Sequence, residues 1–256
     1  MSEADKYDPN ATNPMGSAQA NMRTALLKRF YKQASVAEES GGFALKLDGR
    51  AARTPGKAPL MAPRRAIAER IAEEWRSQGE IIDPRTMLTT RLANSAIDGV
   101  AKTLNETRAE IAKYAGADLV CYRADGPTEL VAWQAKAHEP VLAWARKTLD
   151  ADFVIAESMM HVRQPPEALQ RIAAEIERYE DPFAVAALHV LTSLSGSVLI
   201  ALMIARGAID AEDAWRAAHV EEDFQILKWG EDDEAKRRRE TRAAEFSTAA
   251  AVIAAL

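Results

Sequence analysis

The stretch Val36-Ala-Glu-Glu-Ser-Gly-Gly-Phe-Ala-Leu-Lys-Leu-Asp-Gly-Arg50 decides the fold of the first part of the chain. Its large apolar residues alternate with smaller or polar ones, which is typical of a strand with one buried face: Phe43, Leu45 and Leu47. Two turn dipeptides bound this strand, Gly41-Gly42 and Asp48-Gly49. Asp-Gly is a strong hairpin signal, because both central residues of such a turn take a positive φ. The stretch predicts a β-meander, with Asp48 and Gly49 as structural residues and a returning strand at about 50–54.

One amphipathic helix is predicted to cover this meander. Pro63 suits the first turn of a helix, and Gly79 suits its end. Between them Ile67, Ile71 and Trp75 recur at four-residue intervals, which places them on one helical face. An uncovered sheet face would expose a large apolar patch, so we expect this helical face to pack on the sheet. Trp75 is therefore predicted to be a structural residue.

Helical patterns dominate the rest of the chain. Strand signals nearly vanish after Asp83-Pro84, and segment 183–206 is apolar nearly all round, which predicts a single buried central helix. We expect an α+β fold in which a small N-terminal antiparallel β domain precedes a larger C-terminal helical domain. The predicted divisions are a disordered tail at 1–20, a β-rich domain with one covering helix at 21–83, and an α-helical domain at 84–256.

Composition excludes several classes of protein. The 256 residues carry a net charge of −5, so no excess of basic side chains indicates nucleic-acid binding. The single cysteine, Cys121, excludes an internal disulfide framework and indicates a reducing compartment. No apolar run approaches the roughly 20 residues of a membrane span, and residues 1–16 fit neither a secretion signal nor a mitochondrial presequence. We expect a cytoplasmic protein without membrane insertion.

A second stretch, His219-Val-Glu-Glu-Asp-Phe-Gln-Ile-Leu-Lys-Trp-Gly-Glu-Asp-Asp-Glu234, predicts a corner between two helices. Gly230 suits a left-handed helix end, and the acids after it suit the positive first turn of the next helix. Several side chains of this corner are candidates for contact with a partner: Glu221, Glu222, Gln225, Trp229, Gly230 and Asp232. Spacing alone leaves two alternatives open. Trp229 can be a wedge under an ordinary acidic elbow, or an anchor that grips a partner.

The helix before the corner is predicted to be capped by Asp210 and to run through Leu227, held in place by Trp215, Phe224 and Leu227. Helical spacing also lets the acids, Gln225 and the aromatic rings, Phe224 among them, share one surface. The Glu222 carboxylate is expected to be free for solvent or a partner, and a bond to Arg216 is the structural alternative.

Patterns that carry catalysis are weak in this sequence. His138, His161, His189 and His219 lie far apart, and none is spaced from another as a helical metal pair requires. The serines at 193–197 lie inside an apolar helical pattern, where an exposed nucleophile is hard to build. The best enzyme hypothesis is a metal-dependent hydrolase in which the acids at 232–234 bind a divalent cation together with Glu221 or Glu222. A helical scaffold with other partners is a further alternative.

Several short motifs together resemble one family, the assembly chaperones of the F-type ATP synthase that bind its free α subunit. The motifs are Lys28-Arg-Phe-Tyr31, Leu47-Asp-Gly-Arg50 with Thr54-Pro55, Glu73-Glu-Trp75 with Gln78, Thr86-Met87, Leu119-Val-Cys-Tyr122, Trp133-Gln134, Thr192-Ser-Leu-Ser-Gly-Ser197, and Glu221-Glu-Asp-Phe-Gln225 followed by Trp229-Gly-Glu-Asp-Asp-Glu-Ala235. The resemblance runs from about residue 28 to 250. It rests on the order and spacing of the motifs rather than on any one of them.

The resemblance implies a binding protein with no catalytic residue, metal or cofactor. It implies a client, the ATP synthase α subunit, which is held until the β subunit replaces the chaperone. It also implies roles for Trp75 and for five residues of the corner: Glu221, Glu222, Gln225, Trp229 and Gly230. Mitochondrial members carry a targeting peptide that this chain lacks, which favours a bacterial cytoplasmic member. We expect it to act as a monomer.

Overall fold

The N-terminal sheet is built around one central strand. The computed structural model describes residues 27–157 and 162–256, so the predicted tail at 1–20 and the start of the predicted β-rich domain lie outside the described residues. The sheet has four strands: β1 (Ala34–Glu39), β2 (Gly42–Leu47), β3 (Arg50–Ala51) and β4 (Met61–Ala62). β1 pairs antiparallel along the whole of β2, while β3 and β4 share the opposite edge of β2.

Both turns of the meander use positive φ angles. Asp48 and Gly49 have φ values of 48° and 80°, and they connect the paired residues Leu47 and Arg50 as the Asp-Gly signal predicts. The first turn is Ser40-Gly41 rather than Gly41-Gly42, because Gly42 already begins β2. Gly42 has a φ of 146°, and a Cβ there would lie 2.5 Å from the carbonyl oxygen of Ala62. Glycine at this position therefore lets β4 approach β2.

The prediction of a returning strand at 50–54 was too long. β3 ends at Ala51, and the chain turns back through residues 54–58 to form β4, which sequence reasoning did not predict. Thr54 explains the turn, because its hydroxyl donates to Asp98 at 2.7 Å and accepts from the Ala58 amide at 3.2 Å. After β3 the chain therefore continues as a loop, and the hydrogen bond from Thr54 to Asp98 ties this loop to the helical part of the chain.

Helix α1 (Arg65–Arg76) covers the sheet as predicted. Ile67 and Ile71 are 0% and 1% exposed, and both belong to the continuous hydrophobic core. Trp75 is half-buried and packs against the same core, with its ring centroid 5.4 Å from that of Tyr31. The helix is slightly shorter than predicted, since it begins two residues after Pro63 and ends three residues before Gly79.

Helices make up most of the remaining chain. They are α2 (Leu88–Asp98), α3 (Leu104–Lys113), α4 (Thr128–Leu149), α5 (Pro166–Glu177), α6 (Pro182–Ser195), α7 (Val198–Ala205), α8 (Ala211–Ala218), α9 (Val220–Trp229) and α10 (Asp233–Ile253). A short parallel pair, β5 (Tyr122–Arg123) and β6 (Ala156–Glu157), lies among them. This arrangement confirms the predicted α+β fold. None of the described helices is both long and apolar enough to cross a membrane.

The prediction of a single helix at 183–206 was wrong. α6 ends at Ser195, because Gly196 takes a left-handed conformation with a φ of 69°. Ser197 then caps α7 by accepting a hydrogen bond from the Ile200 amide at 3.1 Å. The break also receives a neighbouring segment, since the Leu119 amide donates to the Gly196 carbonyl at 3.0 Å. Apolar periodicity cannot reveal such a break, because the residues on both sides of it are buried.

Buried side chains from the sheet part and the helical part belong to one continuous core. Leu45 and Ile67 contribute from the first part, and Leu188, Leu199 and Phe246 contribute from the second. α6 and α7 supply many of its fully buried residues. The division near residue 83 separates sheet from helices in the sequence, and a domain boundary at that point stays a prediction.

Candidate functional site

The predicted corner is formed by the end of α9 and the start of α10. Gly230 ends α9 with a φ of 80° and a ψ of −179°. This is not the left-handed helical conformation that we predicted, but a region that almost only glycine occupies. Asp232 caps α10 by accepting hydrogen bonds from the amides of Glu234 and Ala235, both at 2.9 Å. These bonds, led by that from Ala235, hold the pKa of the Asp232 carboxyl below its usual value.

The outer face of α9 combines a carboxylate, an amide and an aromatic ring. Glu221, Gln225 and Trp229 follow one another at four-residue spacing, so their side chains lie on one face of the helix, and all three are exposed. Trp229 is 77% exposed and Leu227 is 63% exposed. Trp229 is therefore not a wedge under the loop. Leu227 is two residues from both Gln225 and Trp229, so it lies on another side of the helix. We call the surface of Glu221, Gln225 and Trp229 the corner face.

The inner face of α9 is fixed to α4. Phe224 is buried, with its ring edge against Trp133 at a centroid distance of 5.4 Å. Lys228 reaches Glu129 of α4 at 2.7 Å. The expectation that Phe224 shares the acidic outer surface was therefore wrong, as was the expectation that Leu227 helps to hold the helix. α9 offers its outer face on a backbone that is held from behind.

Glu222 faces α10 rather than solvent. Its carboxylate lies 3.8 Å from Arg239 and 3.9 Å from Arg242, and Arg239 also pairs with Asp223. The prediction that the Glu222 carboxylate is free was wrong, and so was the suggestion of Arg216 as its partner. Arg216 pairs instead with Glu212 and Asp213 within its own helix. Glu221, by contrast, makes no ion pair with any residue in 27–157 or 162–256.

His219 joins α8 to α9 and is held by contacts with Trp215 and Arg242. Its ring stacks on Trp215 with centroids 3.6 Å apart, its Nδ1 lies 2.9 Å from the Trp215 carbonyl oxygen, and its Nε2 lies 3.0 Å from the Arg242 guanidinium. Burial lowers the pKa of His219, and the charge of Arg242 lowers it further. The helix that we predicted to run from Asp210 through Leu227 is thus divided at His219.

Metal-ligand geometry is not found at the corner. Within the described part of the chain, no three His, Cys, Asp or Glu side chains are grouped so that they could hold a metal ion. The acids at 232–234 are exposed and serve the first turn of α10. Of the histidines considered from sequence, His161 lies outside the described residues. The metal-dependent hydrolase hypothesis therefore gains no ligand set from the structure.

Glu74 is the residue that sequence reasoning missed. Its carboxylate accepts hydrogen bonds from the Thr89 amide at 2.6 Å, the Thr90 amide at 2.8 Å and the Thr90 hydroxyl at 2.7 Å. These groups open α2, whose own N-cap residue, Met87, supplies no side-chain bond. Glu74 thus caps a helix of the second part from α1. Its partners lie fifteen residues away in the sequence, so local spacing gave no signal.

Gln78 strengthens the same joint. Its side-chain nitrogen donates to the Glu74 carbonyl at 3.0 Å and to the Thr86 hydroxyl at 3.1 Å, and its side-chain oxygen accepts from the Asp83 amide at 2.7 Å. Trp75 lies between these residues, and its carbonyl accepts from the Tyr31 hydroxyl at 2.6 Å. The segment 73–78 therefore connects the sheet, α1 and α2.

Two buried titratable groups lie in the helical part of the chain. Burial raises the pKa of Asp118 to about 6 from 3.8, although the amides of Val120 and Leu199 donate to its carboxyl. The stability that this group contributes therefore falls as the pH rises from 3.8 to 6. Burial, followed by the charge of Arg123, lowers the pKa of His138 to about 4 from 6.5. The stability that His138 contributes changes with pH in the opposite direction, since it is lost as the pH falls from 6.5 to 4.

Cys121 is buried, and burial raises the pKa of its thiol to about 12. A thiol with such a pKa is almost entirely protonated at neutral pH, and the thiolate is the reactive form. Cys121 is therefore a small residue of the hydrophobic core.

Comparison with known proteins identifies the family. The family model of the ATP12 chaperone protein matches residues 28–146. The crystal structure of Atp12 from Paracoccus denitrificans is 40% identical to this chain and has a TM-score of 0.82, with 89% of this chain and 97% of that chain covered. The chain belongs to the ATP12 chaperone family. The structure of the Atu1473 protein from Agrobacterium tumefaciens is 42% identical, with a TM-score of 0.86 and coverage of 96% of this chain and 92% of that chain.

Membership of the ATP12 family confirms the resemblance to ATP synthase assembly chaperones that the motifs indicated. A mutant form of the Paracoccus Atp12 matches with the same identity and TM-score as the parent structure. The structure separates the motifs of this ATP12 chaperone into two groups. In the first group, motif residues make hydrogen bonds that hold helices, strands and loops in place; these are the motifs around Asp48, Thr54, Glu74 and residues 192–197. In the second group, the motif at 221–235 presents exposed side chains.

Proposed function

We propose that this ATP12-family chaperone binds the unassembled α subunit of the F-type ATP synthase through the corner face. It keeps the subunit from aggregating and hands it to the β subunit, without a catalytic step. The observation that carries the proposal is the exposure of Trp229 on the same helical face as Glu221, which makes no ion pair within the described part of the chain, on a helix fixed from behind. An exposed aromatic anchor of this kind is typical of residues that contribute most to protein–protein binding.

The chemistry of the corner face suits a subunit that is separated from its partners. Such a subunit exposes apolar surface that is buried in the finished assembly and that favours aggregation. Trp229 can cover apolar surface, and the acids of the corner can pair with basic groups at its edge. Residues 219–234 hold seven Asp and Glu side chains and one Lys. A basic rim on the client is therefore the complement that we propose.

The candidate residues take different roles in this proposal. Glu221, Gln225 and Trp229 contact the client, because their side chains point outward and are exposed. Gly230 and Asp232 set the direction of the corner through the end of α9 and the cap of α10. Glu222 holds α9 against α10 through Arg239 and Arg242. A polar, medium-sized interface would let the β subunit displace the chaperone later.

The experiment is capture of the α subunit by the tagged, purified chain in an extract of the host. The parent is expected to recover the α subunit, whereas Glu221→Lys and Trp229→Ser recover little of it. Glu177→Lys is the matched control, since Glu177 is exposed on α5 and makes no ion pair with a described residue. Equal recovery by all four proteins would place the client elsewhere, and recovery of other proteins instead would favour the scaffold alternative.

Two further points belong to the same proposal. We expect a monomer that acts in the bacterial cytoplasm, which the origin of the two bacterial relatives supports. The absence of catalysis is supported by membership of a chaperone family. Sedimentation of the purified chain tests the first point, and an assay for phosphatase or esterase turnover with added divalent cations tests the second.

A further inference from the structure

A cluster of exposed apolar side chains lies on the sheet part of the chain, away from the corner face in sequence. Leu27, Phe30 and Ile81 are 69%, 66% and 51% exposed. They occupy two neighbouring extended segments, because the Ile82 amide donates to the Leu27 carbonyl at 2.9 Å and the Arg29 amide donates to the Glu80 carbonyl at 2.8 Å. These backbone hydrogen bonds hold the two segments together, and the three apolar side chains are exposed on them.

A cavity of about 640 Å³ opens beside Phe30. Its walls come from Tyr31, Trp75 and the hairpin that connects β2 to β3, with Arg50 and Arg53 among the residues that line it. The indole nitrogen of Trp75 is buried and has no hydrogen-bond partner among the described residues. The cavity therefore combines aromatic walls with two arginines and with Asp48, whose carboxylate already accepts from the amides of Lys32 and Gln33. We call Phe30, Arg50, Arg53 and this cavity the hairpin face.

The charge of the hairpin face is not neutralised within the protein. The Arg50 side chain is exposed and makes no hydrogen bond or ion pair with any described residue, and among those residues the Arg53 side chain donates only to the Lys57 carbonyl, at 2.7 Å. Residues 27–65 hold nine Lys and Arg side chains and three Asp and Glu. The corner, by contrast, has an excess of acidic side chains. Residues 27–65 therefore carry an excess of positive charge, although the whole chain has a net charge of −5.

A structural role explains the neighbours of Phe30 and Arg50 but not these two residues. Arg29 donates to the carbonyls of Tyr31 and Gln78, at 3.1 Å and 2.5 Å. Asp48 accepts from the Gln33 amide at 2.8 Å, which ties the hairpin to the segment before β1. Among the described residues, the one aromatic contact of the Phe30 ring is an edge contact with the Tyr31 ring. A large exposed aromatic beside an unpaired guanidinium is typical of a binding surface.

We propose that the hairpin face docks an acidic peptide segment that carries an apolar side chain. The apolar side chain packs on Phe30 and enters the cavity, while carboxylates pair with Arg50 and Arg53. Arginine suits this task because its planar guanidinium binds carboxylates through two parallel hydrogen bonds. This inference is independent of the client proposed for the corner face.

Fluorescence anisotropy with labelled peptides tests the inference on the full chain. The probes are a short peptide of alternating glutamate and leucine, an all-glutamate peptide, and a peptide of alternating lysine and leucine. The parent is expected to bind the first peptide best. Phe30→Ser and Arg50→Glu should each weaken that binding by about tenfold or more. Arg70→Glu is the matched control for charge, since Arg70 is exposed on α1 and does not line the cavity, and it should change binding by less than about twofold.

Melting curves of the variants show whether each remains folded. A second readout is the indole N–H signal of Trp75 in a nitrogen-15 spectrum of the parent, which should shift when the glutamate–leucine peptide is added. Equal binding of the all-glutamate peptide, with no effect of Phe30→Ser, would overturn the proposal in favour of unspecific charge attraction. Binding of RNA or anionic vesicles without binding of the peptide would overturn it as well.

Discussion

Replacing Glu74 with alanine should lower the stability of the whole chain, because this carboxylate holds the start of α2 from α1. Its two oxygens accept three hydrogen bonds of 2.6 to 2.8 Å from Thr89 and Thr90. Both threonines are buried, at 4% and 5% exposure, so water cannot easily replace the lost acceptor. The Glu74→Ala variant thus leaves two amides and a hydroxyl without partners.

The size of the effect follows from these contacts. Loss of a helix cap costs about 0.5–2 kcal/mol, and unsatisfied buried donors cost about 1–3 kcal/mol each when water is excluded. These values overlap, because they describe the same amides, and we expect a total of about 3 kcal/mol for Glu74→Ala. In a chain of this size that corresponds to a fall in Tm of about 6–12 °C. Scanning calorimetry measures it directly.

Glu73 provides the matched control for Glu74. It is the preceding residue on α1, it is exposed, and its ion pair with Arg76 at 3.2 Å lies at the surface. Surface pairs of this kind contribute at most about 1 kcal/mol. Glu73→Ala is therefore expected to lower Tm by no more than about 3 °C. If the two variants melt at the same temperature, the carboxylate of Glu74 does not hold the joint.

Other variants test single contacts. Trp75→Arg should lower Tm by about 5–10 °C, since a charge replaces a half-buried ring, and unchanged melting would show that the ring is dispensable. Glu222→Lys should lower the free energy of unfolding in urea by about 1–2 kcal/mol, because the new lysine lies beside the positive charge of Arg239. Glu221→Lys should lower it by at most about 0.5 kcal/mol, and equal losses would contradict the different roles given to the two glutamates. The parent should lose about 2 kcal/mol relative to Asp118→Asn between pH 4 and 6, and parallel pH profiles would exclude titration of Asp118 there.

Local patterns predicted the sheet and its covering helix well. The period of two at 43–47, the Asp48-Gly49 turn and the four-residue spacing of Ile67 and Ile71 depend on neighbours in the sequence, and the structure confirms each. β4 was missed because Met61 and Ala62 form a strand only where β2 has a free edge. A strand of two residues has no period of its own.

Breaks between buried helices were the least predictable feature of the fold. Segment 183–206 is apolar on every side, so its pattern is the same for one helix or two. The break at Gly196 depends on the segment at 118–121, which donates to the Gly196 carbonyl and accepts from α7. Such a contact between distant segments leaves no periodic signal in either of them.

The corner was predicted in outline but not in the direction of its side chains. Sequence spacing grouped Phe224 with the acids and treated the Glu222 carboxylate as free, whereas the structure buries Phe224 and places Glu222 near Arg239 and Arg242. The helix pattern alone could not show which face of α9 meets α4. The exposure of Trp229 decided between a wedge and an outward-facing side chain.

The affinity of the purified chain for the isolated α subunit of its host tests the central claim most directly. Titration of a fluorescently labelled parent should give a saturable complex, and Trp229→Ser should weaken it by about thirtyfold, since an anchor of this kind contributes about 2 kcal/mol or more. Trp229→Phe should recover part of the loss. If the parent forms no complex, or if Trp229→Ser binds the α subunit as tightly as the parent, the corner face is not where this chaperone holds its client.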